Sequence, residues 1–134
     1  MADQDKHGVL DTSVFIDLAF LDPTALPVFP EITTVTLAEL HQGVAMARDS
    51  HTKAARIEQL GAAIASFDAL PFDKPAAARY GTLVALTIEA KRDPRPRRMD
   101  LMIAAVASCH DLPLYTRNPT DFRGLDSAVR VVAV

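Results

Sequence analysis

The feature that most constrains the fold is an alternation of short apolar segments with longer segments of helical periodicity along the chain. The short segments favour strands, whereas in the longer ones apolar residues recur three or four positions apart. Strands that are connected by helices of this length pair in parallel. We therefore predict an α/β fold in which helices cover both faces of a mainly parallel sheet. The predicted strands are residues 8–10, 32–35, 69–72, 112–115 and 129–134.

Helix starts are marked by residues that cap or initiate helices. Asp11, followed by Thr12 and Ser13, predicts a capped helix after the first strand, and Asp73 predicts the start of a later one. Further helices are predicted after residue 35 and over residues 51–67. The basic, proline-rich segment KRDPRPRR at residues 91–98 predicts an exposed loop, because proline interrupts regular hydrogen bonding. A helix opened by Asp100 follows that loop.

Composition indicates a single domain spanning residues 1–134. Hydrophobic residues make up 49% of the chain, which is enough to bury a core. The lone cysteine, Cys109, excludes an intrachain disulfide and a cysteine-rich zinc site, as is typical of a reducing compartment. No apolar run approaches the roughly 18 residues of a membrane span, and the start MADQDKHG is too polar for a signal peptide. We therefore predict a cytoplasmic protein that does not enter the membrane.

Four acidic side chains lie where predicted strands end or where predicted helices begin. In parallel sheets the functional crevice lies beyond the carboxyl ends of the strands, so these side chains can meet at one edge. A pocket of carboxylate oxygens would bind hard divalent cations. The sequence therefore indicates a candidate metal site. Its residues are Asp11, Glu39, Asp100 and Asp121.

Each of these acids also has a purely structural explanation. Aspartate is common at helix N-caps and interacts favourably with the helix dipole in a first turn. Asp11 could simply cap its helix, and Asp121 could form a turn. The combination favours a shared site, because Ala104 and Ala107 place Asp100 beside a helix face that can pack closely.

Four motifs, in this order, give the chain a resemblance to a known family. They are VLDTSVFID at 9–17, TVTLAELHQG at 34–43, RRMDLMIAA at 97–105 and LYTRNPTDF at 114–122. Together they resemble the PIN-domain nucleases, and among them the VapC toxins of bacterial toxin–antitoxin pairs. The resemblance implies a three-layer α/β/α sandwich around a mainly parallel sheet of four to five strands. It also implies a Mg²⁺- or Mn²⁺-dependent endoribonuclease that forms a homodimer and is inhibited by a cognate VapB-type antitoxin.

The resemblance also assigns roles to individual residues. Asp11, Glu39 and Asp100 match the three acids of the family's metal site, and Asp121 matches a fourth, more variable acid. Some relatives carry that acid at the position of Asn118, so Asn118 and Asp121 are alternatives for the fourth role or share it through a water. Ser13 and Thr116 match polar positions that help to arrange the carboxylates.

Basic residues near the predicted site are candidates for contacts with RNA phosphates. They are needed locally because the whole chain has a net charge of −3, which does not attract nucleic acid. The candidates are Arg97, Arg98 and Arg117, and the alternative is an ordinary solvated loop. Two other functions stay open, a catalytically silent PIN-fold module that binds RNA or a partner, and a receiver-type domain. The isolated Asp11, where receivers carry paired acids, and Arg117, where they carry a late lysine, disfavour the receiver.

Overall fold

The computed structural model describes residues 4–134, and its centre is a four-stranded parallel sheet. The strands are β1 (His7–Leu10), β2 (Phe29–Glu31), β3 (Leu114–Thr116) and β4 (Val131–Ala133). They lie in the order β2-β1-β3-β4, and every neighbouring pair is parallel. The prediction of a parallel sheet with four to five strands is therefore confirmed.

Five α-helices connect and cover the strands. They are α1 (Thr12–Ile16), α2 (Thr34–Ala45), α3 (Ser50–Ser66), α4 (Lys74–Glu89) and α5 (Arg98–Cys109). A side-chain oxygen accepts a hydrogen bond from a backbone N–H in the first turn of four of them, α1 to α4, as helix capping requires. These caps are Asp11, Thr33, Asp49 and Asp73. No helix within residues 4–134 is long and apolar enough to cross a membrane.

The sheet separates two apolar cores, because neighbouring residues of a strand point to opposite faces. Val9 of β1 and Leu114 of β3 face a core that contains Leu83 of α4 and much of α5. The next residue in each strand, Leu10 or Tyr115, faces the other core, which includes residues of α1, α2 and α3. This arrangement is the predicted α/β/α sandwich.

Two predicted strands are wrong. The second strand occupies residues 29–31 instead of 32–35, because the buried Thr33 accepts a hydrogen bond from the Thr36 N–H and so caps α2. Pro30 is tolerated in this strand because β2 lies at the edge of the sheet, where one side needs no ladder hydrogen bonds. Residues 69–72 contribute only one bridge, between Leu70 and Thr33.

The loop predicted at residues 91–98 is shorter than expected. A 3₁₀ turn occupies Arg95–Arg97, and α5 already begins at Arg98. Asp100 therefore lies in the first turn of α5, as predicted. Two later strands are displaced by one or two residues from their predicted bounds, since β3 ends at Thr116 and β4 begins at Val131.

The turn that follows the Asp121 segment depends on Gly124. Its φ is +91°, and a Cβ at this position would lie 2.7 Å from the Cβ of Ala90, at the end of α4. We predict that Gly124→Ala lowers the free energy of unfolding by about 2 kcal/mol, through backbone strain and this overlap. Urea denaturation measures the change.

Gly61 supplies the matched control for that substitution. It is exposed within α3, and nothing lies within 4 Å of the position a Cβ would take. Gly61→Ala should stabilise the protein by about 0.5 to 1 kcal/mol, because alanine favours helices. Equal effects of the two substitutions would contradict the role given to Gly124.

Candidate metal and active site

The candidate site lies at the edge of the sheet where the parallel strands end. Asp11 directly follows β1, and Asp121 lies in a 3₁₀ turn, Pro119–Phe122, that follows β3. Asp100 comes from the first turn of α5, and Glu39 comes from α2. β1 and β3 are neighbours in the sheet, and the Asp11 N–H donates to the Tyr115 carbonyl at 3.0 Å. The fold therefore directs residues from distant parts of the sequence to one edge.

Asp11 is both a helix cap and a member of this group. Its side chain is buried, with 4% of the residue exposed. One carboxylate oxygen, Oδ1, accepts hydrogen bonds from the Val14 N–H at 3.0 Å and from the Ser13 hydroxyl at 2.6 Å. The structural and the functional explanations of Asp11 are thus compatible, because capping occupies only Oδ1.

Glu39 is held by Thr12, which is not among the predicted site residues. The Thr12 hydroxyl donates to Glu39 Oε1 at 2.6 Å, and it also lies 3.1 Å from the hydroxyl of the buried Thr36. One sequence signal was present, since Thr36 precedes Glu39 by three positions and so shares its helix face. The contribution of Thr12 could not be seen, because it joins two elements 27 positions apart.

The pKa of Asp100 depends on the charges of the other three acids. Burial raises the pKa of Asp100 most, the negative charges of Glu39, Asp11 and Asp121 add to it, and Arg97 opposes them, so that the pKa is about 6. Charges act on one another in this way only when they are close and poorly screened. The structure therefore places Glu39, Asp11 and Asp121 near enough to Asp100 for their charges to act on it.

Asn118 and Thr116 shape the turn that carries Asp121. The Thr116 hydroxyl accepts from the Asn118 N–H at 3.0 Å, and the Asn118 carbonyl accepts from the Asp121 N–H, also at 3.0 Å. Asn118 itself is exposed. The charge of Asp121 raises the pKa of Asp100, whereas the side-chain amide of Asn118 is uncharged.

The chemistry of this donor set fits a hard divalent cation, which prefers carboxylate oxygen. Within the described part of the chain, no three acidic, histidine or cysteine side chains are close enough to form a ready-made metal cage. The acids carry like charges that repel one another, and within residues 4–134 the positive charge that favours the ionised form of Asp100 is that of Arg97. A metal ion held by these residues would need their side chains to move closer together.

The three candidate arginines lie in different environments. Arg97 is half-buried, its Nε has no hydrogen-bond partner within residues 4–134, and its charge favours the ionised form of Asp100. Arg117 forms an exposed ion pair with Asp17, with N and O 2.7 Å apart. Arg98 is exposed and, together with Glu39 and Asp100, lines a cavity of about 420 Å³.

The basic segment is also tied to the Asp121 turn. The Arg92 guanidinium donates to the carbonyl of Thr120, which precedes Asp121. This contact joins the loop before α5 to the segment after β3. Arg95 instead pairs with the nearby Asp93 in an exposed ion pair of 3.0 Å.

Comparison with known proteins identifies the family. The PIN domain model matches residues 8–127. The chain belongs to the PIN-domain family. Ribonuclease VapC5 of Mycobacterium tuberculosis is 41% identical over 127 residues, which cover 92% of this chain and 91% of that protein. The family suggested by the four sequence motifs is therefore confirmed.

Solved structures show the same PIN fold. The VapBC-5 structure, from a member of the VapBC family of toxin–antitoxin systems of M. tuberculosis, matches with a TM-score of 0.84 and 40% identity. That match covers 96% of this chain and 99% of the other. FitAcB from Neisseria gonorrhoeae matches with a TM-score of 0.69 and 28% identity, over 92% of this chain and 94% of the other.

The raised pKa of Asp100 predicts a pH-dependent effect of Asp100→Asn on stability. The folded value of about 6 lies above the ordinary 3.8, so the wild-type protein loses stability as the pH rises between these values. The full shift corresponds to about 3 kcal/mol, and solvent screening of a partly exposed group reduces it. In EDTA at pH 7, Asp100→Asn should stabilise the protein by about 1 to 2 kcal/mol.

Urea denaturation at pH 7 and at pH 4 measures this effect. The gain should disappear near pH 4, where the wild-type carboxyl is protonated or nearly so in the folded state. Asp126→Asn, which removes an exposed carboxylate, serves as the control and should change stability by less than about 0.5 kcal/mol. A destabilising Asp100→Asn at pH 7 would contradict the crowding of charge at this site.

Proposed function

We propose that this PIN domain is a metal-dependent endoribonuclease and the toxin of a toxin–antitoxin pair. The observation that carries the proposal is the position of Asp11, Glu39, Asp100 and Asp121 at the edge where the parallel strands end, where burial and the other three charges raise the pKa of Asp100. Four acids that lie apart in sequence and interact at the end of a parallel sheet suit a hydrolytic metal site. The 41% identity to Ribonuclease VapC5 supports RNA as the substrate.

The cofactor we propose is Mg²⁺ or Mn²⁺, in keeping with the divalent metals that PIN-domain nucleases generally use. Asp11, Glu39, Asp100 and Asp121 would hold it. The bound ion would lower the pKa of a coordinated water and neutralise charge that develops on the phosphate. The carboxylate of Asp11 would already be oriented for metal binding, because the Ser13 hydroxyl and the first turn of α1 fix its Oδ1.

Arg98 is the arginine that we propose contacts the RNA backbone. It is exposed beside Glu39 and Asp100, and the cavity they share is also lined by Met99 and Met102. An arginine in this position can attract a phosphate and partly offset the negative charge of the acids. Arg117 is a second candidate, because its exposed ion pair with Asp17 is weak enough to exchange for a phosphate. For Arg97 we propose a supporting role, in which its charge balances Asp100.

The partner that we propose is a VapB-type antitoxin. The relative of known structure at 40% identity is described as a member of a family of toxin–antitoxin systems, and it matches over nearly the full length of both chains. We propose a homodimer in the same assembly and a cytoplasmic location. Inhibition by a protein partner explains how a cell tolerates an enzyme that cleaves its RNA.

Replacing Asp11 tests the enzymatic function most simply. The side-chain amide oxygen of asparagine can accept the hydrogen bond that caps α1, so Asp11→Asn should fold normally. Loss of a charged metal ligand should reduce RNA cleavage in Mg²⁺ or Mn²⁺ by at least about 100-fold. Cleavage of structured and single-stranded RNA, with EDTA controls and no antitoxin present, measures the effect.

Asp49→Asn is the matched control, because it makes the same chemical change at the residue that caps α3. It should leave cleavage unchanged. Equal cleavage by wild type and Asp11→Asn would contradict the enzymatic assignment. It would favour the catalytically silent binding module.

Arg98→Gln tests the proposed RNA contact. In the Asp11→Asn background, which permits binding without cleavage, it should weaken RNA binding and reduce the slope of log K against log salt by about 0.7 to 1. Filter binding at salt concentrations from about 50 to about 200 mM measures this slope. Arg48→Gln removes an exposed charge between α2 and α3 and is the control. Identical slopes for the two variants would exclude Arg98 as a phosphate contact.

A further inference from the structure

The hydroxyl of Thr12 links α1 to the acid of α2. Thr12 Oγ1 lies 2.6 Å from Glu39 Oε1 and 3.1 Å from Thr36 Oγ1. Thr36 is completely buried, whereas Thr12 and Glu39 are half-buried at the edge of the site. The contact is therefore a short hydrogen bond in a partly protected environment, where such bonds are stronger than in water.

The chemistry of the three groups fixes the direction of these hydrogen bonds. A carboxylate only accepts, so the single hydroxyl hydrogen of Thr12 is given to Glu39. Thr12 can then bond to Thr36 only as an acceptor, and Thr36 must donate. The result is a directed chain that runs from Thr36 to Thr12 to Glu39, and the buried hydroxyl of Thr36 is satisfied by it.

Thr12 and its neighbour Ser13 donate hydrogen bonds to two different acids. Ser13 donates to Oδ1 of Asp11, whereas Thr12 reaches across to Oε1 of Glu39. In the described residues, hydrogen bonds from the protein involve one oxygen of each carboxylate and leave Asp11 Oδ2 and Glu39 Oε2 available. One dipeptide thus orients two carboxylates that lie 28 positions apart in sequence.

We propose that Thr12 is a positioning residue that holds Glu39 in the orientation needed to bind metal. This role rests on the proposed function of the same site. A glutamate has three rotatable side-chain bonds, so without an anchor its carboxylate samples many positions near the like charge of Asp100. The Thr12 hydroxyl restricts that freedom and offsets part of the repulsion. Outer-shell hydrogen bonds of this kind typically alter metal affinity or activity by about 10- to 100-fold.

The test is a double-mutant cycle of Mn²⁺ affinity, measured by electron paramagnetic resonance. Thr12→Val keeps the shape of the side chain and removes the hydroxyl, and it should weaken Mn²⁺ binding by about 10-fold or more. Thr12→Ser restores the donor and should bind within about threefold of wild type. In a Glu39→Ala background, Thr12→Val should have no further effect, because the group that it positions is gone. Thr36→Val should cost less than Thr12→Val, since Thr12 keeps its own hydrogen for Glu39.

An equal loss from Thr12→Val in the presence and absence of Glu39 would overturn the proposal, as would full Mn²⁺ affinity in Thr12→Val. Thermal unfolding of each variant in EDTA separates these results from general destabilisation. RNA cleavage is measured in parallel, and Thr12→Val should lower kcat more than it raises KM. If wild type cleaves no RNA, the proposed nuclease function fails, yet the Mn²⁺ cycle still decides the role of Thr12.

Discussion

Repulsion among carboxylates at one edge of the sheet is the constraint on which the rest of this structure depends. Parallel strands all end at the same edge, so the fold that gathers these acids also concentrates negative charge there. Burial is the largest cause of the raised pKa of Asp100, and the charges of the three other acids add to it. The divalent cation that we propose for this site would relieve the repulsion.

Hydrogen bonds and nearby positive charges hold these acids in place, and one of the hydrogen bonds to Asp11 also caps a helix. The contacts that cap α1 also fix Asp11, and the next residue along α1 orients Glu39. Arg97 supplies an opposing charge near Asp100, and Arg92 ties the basic segment to the turn that carries Asp121. The first turn of α1 and the segment before α5 therefore support the site as much as the acids themselves do.

Much of the fold and the site could be predicted because local chemistry and tertiary structure agree there. The first strand is short and apolar and ends in a helix cap, so β1 and α1 followed directly from the sequence. The acids could be selected because strand ends in a parallel sheet share an edge. The second strand was misplaced, because Thr33 and Val35 favour strands by composition while the Thr33 hydroxyl caps α2 instead. Residues 69–72 have strand-like composition but only a single bridge to hold them.

The bond from Thr12 to Glu39 was missed for another reason, because it joins two helices and leaves no periodic pattern in the sequence. The environments of the arginines could not be predicted from the sequence either. Proximity in sequence grouped Arg97 with Arg98, yet the first is half-buried and acts on Asp100, and the second is exposed beside the cavity. Side-chain roles that depend on direction around a helix turn require the structure.

A pH titration of the Asp100 carboxyl carbon by NMR, first in EDTA and then in saturating Mg²⁺, tests whether the four acids bind one metal ion together. We expect a pKa of about 6 without metal, because burial and three neighbouring acids oppose ionisation. With Mg²⁺ the pKa should fall well below that value, because the cation favours the carboxylate. A pKa near the ordinary 3.8 that Mg²⁺ leaves unchanged would contradict the claim that these four acids form one metal-binding unit.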